Sequence, residues 1–310
     1  MKHTLKITTI LLVIFLFAQF IGIGILYQYI DQDKSVETGE TEFRDLPIGE
    51  RPPMDESTSF IPILIAILIG TGLLLLVIKF KLNALWKVWF LLAVVIALLV
   101  AFAAFIDVRI AAVLALGLGI WKVFKPNFWV QNGTELFVYG GLAAIFAPLF
   151  NIFSVIILLI LISIYDAYAV WKSKHMITLA KSQAKANIFS GLLIPYRIGK
   201  MVKGKVKKTA KIVAKKVVQK TKSGKKIKVP QKVRMAMLGG GDIGLPLIFA
   251  GVILKEWGLW QSLIIPFFAA LGLGLLFWKS KEKKFYPAMP FISVGCFVGL
   301  GIVWLIMFLF

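Results

Sequence analysis

The chain alternates long apolar runs with shorter polar breaks. The runs fall at 7-30, 60-79, 84-105, 108-124, 130-150, 151-171, 236-256, 259-278 and 285-310. Each lies near the roughly 20 residues that cross about 30 Å of hydrocarbon at about 1.5 Å per residue. The pattern predicts nine transmembrane helices, although the fourth run is short and the fifth opens on "QNGTE". The first run is longer than the roughly 7 to 15 residues of a signal-peptide core, and no small-x-small site follows it, so it is expected to be a retained span. Two polar breaks are long, 31-59 and 172-235. The second divides the chain into an N-terminal six-span half (1-171), a basic loop (172-235) and a C-terminal three-span half (236-310).

Composition agrees with an all-α, polytopic membrane protein. Hydrophobic residues make up 59% of the 310 positions, against roughly 45 to 50% in soluble domains, and mean hydropathy is +0.86. The net charge of +21 is unevenly spread. Between Asp31 and Ser59 lie nine acids and three bases, whereas Lys172 to Arg234 holds twenty Lys or Arg and no acid. Because Lys and Arg near span ends stay on the cytoplasmic side, the basic loop is expected inside and the acidic one outside. Alternating from an inside N-terminus also puts Lys79 and Lys81, Lys122 and Lys125, and Lys279 to Lys284 inside. The expected location is the cytoplasmic membrane, with the C-terminus outside.

Within the basic loop, Val202, Val206, Ala210, Val213 and Val217 recur every three or four residues among lysines. This is the pattern of a basic amphipathic helix on an anionic leaflet, although Gly199, Gly204 and Gly224 suit a flexible charged linker equally. Nucleic acid is not an expected partner, because Phe189 and Tyr196 precede the lysine-rich run and do not interleave with it. One cysteine, Cys296, permits no internal disulfide and reads as a buried apolar filler. The only histidines, His3 and His175, lie outside the spans, so neither a metal site nor a cofactor is expected.

The fifteen acids can all be placed. Nine are in the outside loop, Glu282 is in a basic turn, and Asp107, Glu135 and Glu256 fall at predicted span ends where headgroup water is in reach. Asp166 and Asp242 remain, deep in apolar spans where a charge costs at least about 2.5 to 3.5 kcal/mol. Counted from Trp171 and Met235, both lie about 8 to 10 Å from the cytoplasmic end of antiparallel spans. Two carboxylates that share a site cannot both ionise cheaply, and such a proton-sharing pair is the working state of an aspartic protease. Gly239, Gly240 and Gly241 would let the backbone leave helical geometry and let substrate approach Asp242. A helix-to-helix hydrogen bond or an ion-coupling group is the plainer reading of each aspartate.

Tyr165-Asp166, then after a long loop Leu238-Gly239-Gly240-Gly241-Asp242, then Pro287-Ala288-Met289, resembles the YD, LGxGD and PAL motifs of presenilins and signal peptide peptidases. Order, spacing and nine-span layout are similar over nearly the whole chain, most of all to microbial, archaeal presenilin homologues. Met289 stands where the family has leucine. The resemblance implies a presenilin-like bundle and an intramembrane aspartyl protease with Asp166 and Asp242 catalytic. It implies that Tyr165, Leu238 to Gly241 and Pro287 to Met289 line the site. Because the predicted orientation is similar to presenilin, single-span substrates with an outside N-terminus are implied; any need for accessory subunits is left unspecified.

Competing chemistries lack their residues. A metalloprotease needs a paired-histidine motif and a rhomboid-like protease a buried histidine base. Prepilin peptidases carry a GxGD aspartate without the Pro-Ala-Met element. A proton- or ion-coupled transporter using the two aspartates is the alternative from another class, and a scaffold would need neither. Of the smaller features, Tyr165 and Tyr168 are expected to pack with satisfied hydroxyls. Trp171, Trp257, Trp260 and Trp278 are expected at the interfaces, and Asn132-Gly133-Thr134 fits a glycosylation sequon.

Overall fold

The computed structural model describes residues 5–80, 82–172, 190–197, 233–280 and 286–309. Among them are nine helices of 17 to 24 residues and a short one, with a two-stranded sheet between the seventh and eighth helices. In chain order these are α1 Leu5–Gln28, α2 Gln32–Thr38, α3 Phe60–Lys79, α4 Asn83–Ala103, α5 Val108–Phe124, α6 Phe128–Phe146, α7 Ile152–Trp171, β1 Gly191–Arg197, β2 Val233–Gly239, α8 Gly241–Trp257, α9 Leu259–Lys279 and α10 Met289–Leu309. The nine long helices fall on the nine apolar runs. Six of them, α1, α3, α4, α7, α9 and α10, are long and apolar enough to cross a membrane by length and composition. α5 and α8 stop at 17 residues, and α6 opens on polar residues. The amphipathic pattern at 202-217 lies outside the described residues.

The described chain divides into two units, Met1–Leu193 with Met237–Phe310, and Ile194–Ala236. In the first, α1 is a central post that packs on α6, α8 and α9, burying Leu11, Phe15, Ala18, Ile23 and Leu26. α4, α5 and α6 form a second cluster around Val94, Ala97, Leu98, Ala115 and Val138. Glycines set the tightest crossings: a Cβ on Gly141 of α6 would overlap the Ala97 carbonyl of α4, and one on Gly272 or Gly295 would strike backbone across the α9–α10 contact. Small residues at such crossings let backbones approach where lipid supplies no hydrophobic drive between helices. α3, with only Val77 buried, leaves much of its apolar surface outward. In the second unit the described residues are the strand ends 194–197 and 233–236.

Local chemistry explains the helix ends around the site. Pro148, which cannot donate an N–H, follows the end of α6 and sits in the 3-10 turn Ala147–Leu149. Asn151 and Ser154 then form a reciprocal capping box that starts α7. Arg51, in the loop between α2 and α3, donates to Ala144 O from Nε (3.3 Å) and Nη2 (3.1 Å), satisfying a carbonyl near the C-terminus of α6. Exposed Trp171, Trp260 and Trp278 suit the predicted interfacial belt, and Cys296 is buried as expected. Tyr168 departs from the packing expectation: it is 52% exposed, on the outward face of α7.

Candidate active site

α10 begins at Met289, so its first N–H groups have no acceptor one turn earlier. Pro287 and Pro290 contribute no N–H at all. That leaves the Met289 N–H at the helix start, and its acceptor is a side chain of another helix. Oδ2 of Asp166 accepts the Met289 N–H at 3.1 Å. Asp166 on α7 thus caps α10 from a neighbouring helix. One turn along each helix, Ser163 and Ser293 hydrogen-bond at 2.8 Å, so two polar ties fasten α7 to α10. Asp166, Pro287 and Met289 are buried, and Ala288 is half-buried.

Asp242 sits in the first turn of α8, beside the positive end of the helix dipole. α8 packs against α7, the helix that carries Asp166. Asp242 is half-buried, so it keeps an open side. The glycines before it differ from one another. A Cβ on Gly239 would stand 3.2 Å from Asp242 Oδ2, and one on Gly240 would stand 2.8 Å from Ser190 Oγ and 2.9 Å from Tyr139 Oη. Gly241 has open space, with nothing within 4 Å of its Cβ position. Leu238, the last buried side chain of β2, precedes them.

The helical depth count does not describe how the aspartates meet. Residues 233–239 are strand, and α8 starts only at Gly241, so Asp242 begins its helix where the sequence placed it two turns inside one. The glycine triplet breaks the helix that the apolar run predicts. Pro246 then leaves the Asp242 carbonyl without its usual donor. One residue on, the Ile243 carbonyl accepts Gln19 Nε2 of α1 at 2.8 Å, a brace beside Asp242 from a fully buried side chain.

Two other expectations fail on α6. Glu135 does not reach headgroup water: it is 1% exposed, and its Oε1 accepts Lys122 Nζ at 2.5 Å and Gln131 Nε2 at 3.0 Å. Lys122 Nζ also donates to Thr134 Oγ1 at 3.0 Å, so this cation is a buried partner and no interfacial marker. Asn132 cannot serve as a glycosylation acceptor here, because its side chain is buried and bonded to Leu193. The residues that sequence reasoning missed are Gln19, Gln131, Asn132, Tyr139, Ser163 and Ser293. Gln131, Glu135 and Tyr139 were detectable as polar positions four apart on one helix face. The serines and Gln19 carried no such signal, since single polar residues in a span have many uses.

A polar cavity of about 620 Å³ lies among Glu40, Arg51, Glu56, Pro148, Lys255 and Glu256. It includes neither aspartate, and Lys255 is about 20 Å along α8 from Asp242 at 1.5 Å per residue. The chemistry available to the site is therefore that of two carboxyls near the α7, α8 and α10 termini, one held by a main-chain donor and one with an open side.

Solved structures share this architecture. One of a presenilin family intramembrane aspartate protease in the C222 space group superposes with a TM-score of 0.55 at 17% identity, covering 94% of each chain. Another, in the P2 space group, gives 0.58 at 16% identity and covers 96% of each. At that identity the likeness is one of fold. No curated protein matches the chain. A family model described as "Signal-peptide peptidase, presenilin aspartyl protease" matches residues 42–309. That match takes in both aspartates, the glycine triplet and the Pro-Ala-Met element, and the chain belongs to the signal-peptide peptidase and presenilin family of aspartyl proteases.

Proposed function

We propose that Asp166 and Asp242 are the catalytic pair of this intramembrane aspartyl protease and share one proton between them. The ionised carboxylate takes a proton from water as that water attacks the scissile carbonyl carbon. The protonated one donates to the carbonyl oxygen, giving a tetrahedral diol. Collapse of the diol breaks the C–N bond as a proton passes to the leaving nitrogen. The observation that carries the assignment is the Met289 N–H turned on Asp166 at 3.1 Å, with α8 and its Asp242 packed against the helix that bears Asp166. Family membership leaves the transporter reading without support.

Around the pair, Tyr165, Leu238, Gly239, Gly240, Gly241 and Pro287 to Met289 are the proposed lining. Of these, Met289 acts first by positioning Asp166. The open space at Gly241 suits the approach of an unwound peptide. The charge distribution supports an inside N-terminus, an inside 172-235 loop that meets anionic lipid, and an outside C-terminus. Substrates are then single-span proteins whose N-termini are outside.

The test is cleavage of a single-span substrate in liposomes by wild type, Asp166→Asn and Asp242→Asn, with folding checked for each. Wild type is expected to cleave with a bell-shaped pH profile, and both variants to lose cleavage while keeping the wild-type melting transition. Cleavage by either variant overturns the assignment.

A further inference from the structure

The opening turns of α6 carry a buried polar face that the two aspartates do not use. Asn132 lies on it, and its amide bonds both main-chain groups of one strand residue. Nδ2 donates to Leu193 O at 2.8 Å, and Oδ1 accepts the Leu193 N–H at 2.9 Å. Beside it, Gln131 Nε2 donates to Gly191 O at 3.0 Å. Main-chain groups of alternate strand residues point the same way. Gly191 and Leu193 therefore turn one edge of β1 to α6, and two side chains give that edge the bonds a third strand would supply.

From β1 the contact passes to the catalytic loop. Ser190, just ahead of the strand, accepts the Gly240 N–H at 3.2 Å, two residues before Asp242. Tyr139 of α6 stands on the same glycine, and its ring also borders Gly244 on α8. The start of α8 is thus located by Ser190 and Tyr139, one attached to the strand that α6 holds and the other carried by α6 itself.

We infer that Asn132 is a positioning residue for Asp242, acting through β1, Ser190 and the Gly240 N–H. The inference rests on Asp242 being catalytic. Only an amide of this length both donates and accepts at Leu193. Leucine has a similar size and would leave a buried N–H and C=O without partners. A misplacement of about 1 Å at a reacting group is enough to cost about 100-fold in rate.

The experiment compares Asn132→Leu, Asn132→Asp, Thr134→Val and Asp242→Asn in the full chain in liposomes, recording kcat, KM and the melting midpoint. Thr134→Val also removes a buried polar contact from α6, the one to Lys122, but touches no strand. The expected result is a fall in kcat of at least about tenfold for Asn132→Leu, with KM nearly unchanged and with wild-type kcat for Thr134→Val. Asn132→Asp keeps the acceptor for the Leu193 N–H and is expected to fall between Asn132→Leu and wild type. Should Asn132→Leu not fold, the Asp variant decides, and wild-type kcat in it overturns the inference. Wild-type kcat in Asn132→Leu, or an equal fall in Thr134→Val, overturns it too. Cleavage by Asp242→Asn would instead remove the catalytic pair on which the inference rests.

Discussion

Lys122 and Glu135 show at single-residue scale how far a local reading can mislead. Each sits near the end of an apolar run, where a charged side chain ordinarily reaches water, yet both are almost fully buried against each other. Removing one partner of a buried pair strands the other charge at a cost of about 3 to 5 kcal/mol, whereas replacing both with apolar residues is often neutral. Lys122→Met is therefore expected to lower the melting midpoint sharply, and Lys122→Met with Glu135→Met to recover most of it. An unchanged midpoint in the single variant would mean the pair is solvated. The glycine triplet makes a second residue-scale prediction. Gly240→Ala drives a methyl into the Ser190 and Tyr139 hydroxyls and is expected to cost about 1 to 3 kcal/mol. Gly241→Ala meets open space in a first helical turn and is expected to hold or raise the midpoint. Parallel melts of the two variants check this ordering.

At the scale of elements, the site depends on where helices begin. α7 was closely bounded, since the apolar run 151-171 nearly coincides with the helix Ile152–Trp171. α8 was not, because apolar residues continue across 236–240 and hydropathy does not distinguish a buried strand from a helix. The start of α10 matters most, as its Met289 N–H holds Asp166. Six residues on, α10 packs closely on α9, where Gly295 admits the Phe268 carbonyl. Gly295→Leu should push the helices apart, lowering both the melting midpoint and cleavage. Gly301→Leu changes the same helix where nothing lies within 4 Å of the Cβ position and should leave both unchanged. Equal effects from the two would show that the helix contact does not set the site.

For the whole molecule, charge asymmetry yields an orientation that labelling can check. In a Cys296→Ala background, Val36→Cys on exposed α2 is expected to react with an impermeant maleimide from outside intact cells. Ser223→Cys in the basic loop is expected to react only after permeabilisation, and the opposite pattern would invert the proposed topology. The sequence by itself determined the membrane class, the nine helical runs, the unequal charge of the two long loops and the three motifs. Each of these is local: a run length, a charge count or a short spacing, enforced by the thickness and low polarity of the bilayer. The tertiary structure alone decided how the motifs meet. That the Pro-Ala-Met element gives the Met289 N–H to Asp166 depends on two helices more than a hundred residues apart in sequence. The Gln19 brace on α8 and the Asn132 clamp on β1 are also tertiary contacts, because a buried polar group takes whichever partner the packing brings, and spacing along the chain does not encode that choice.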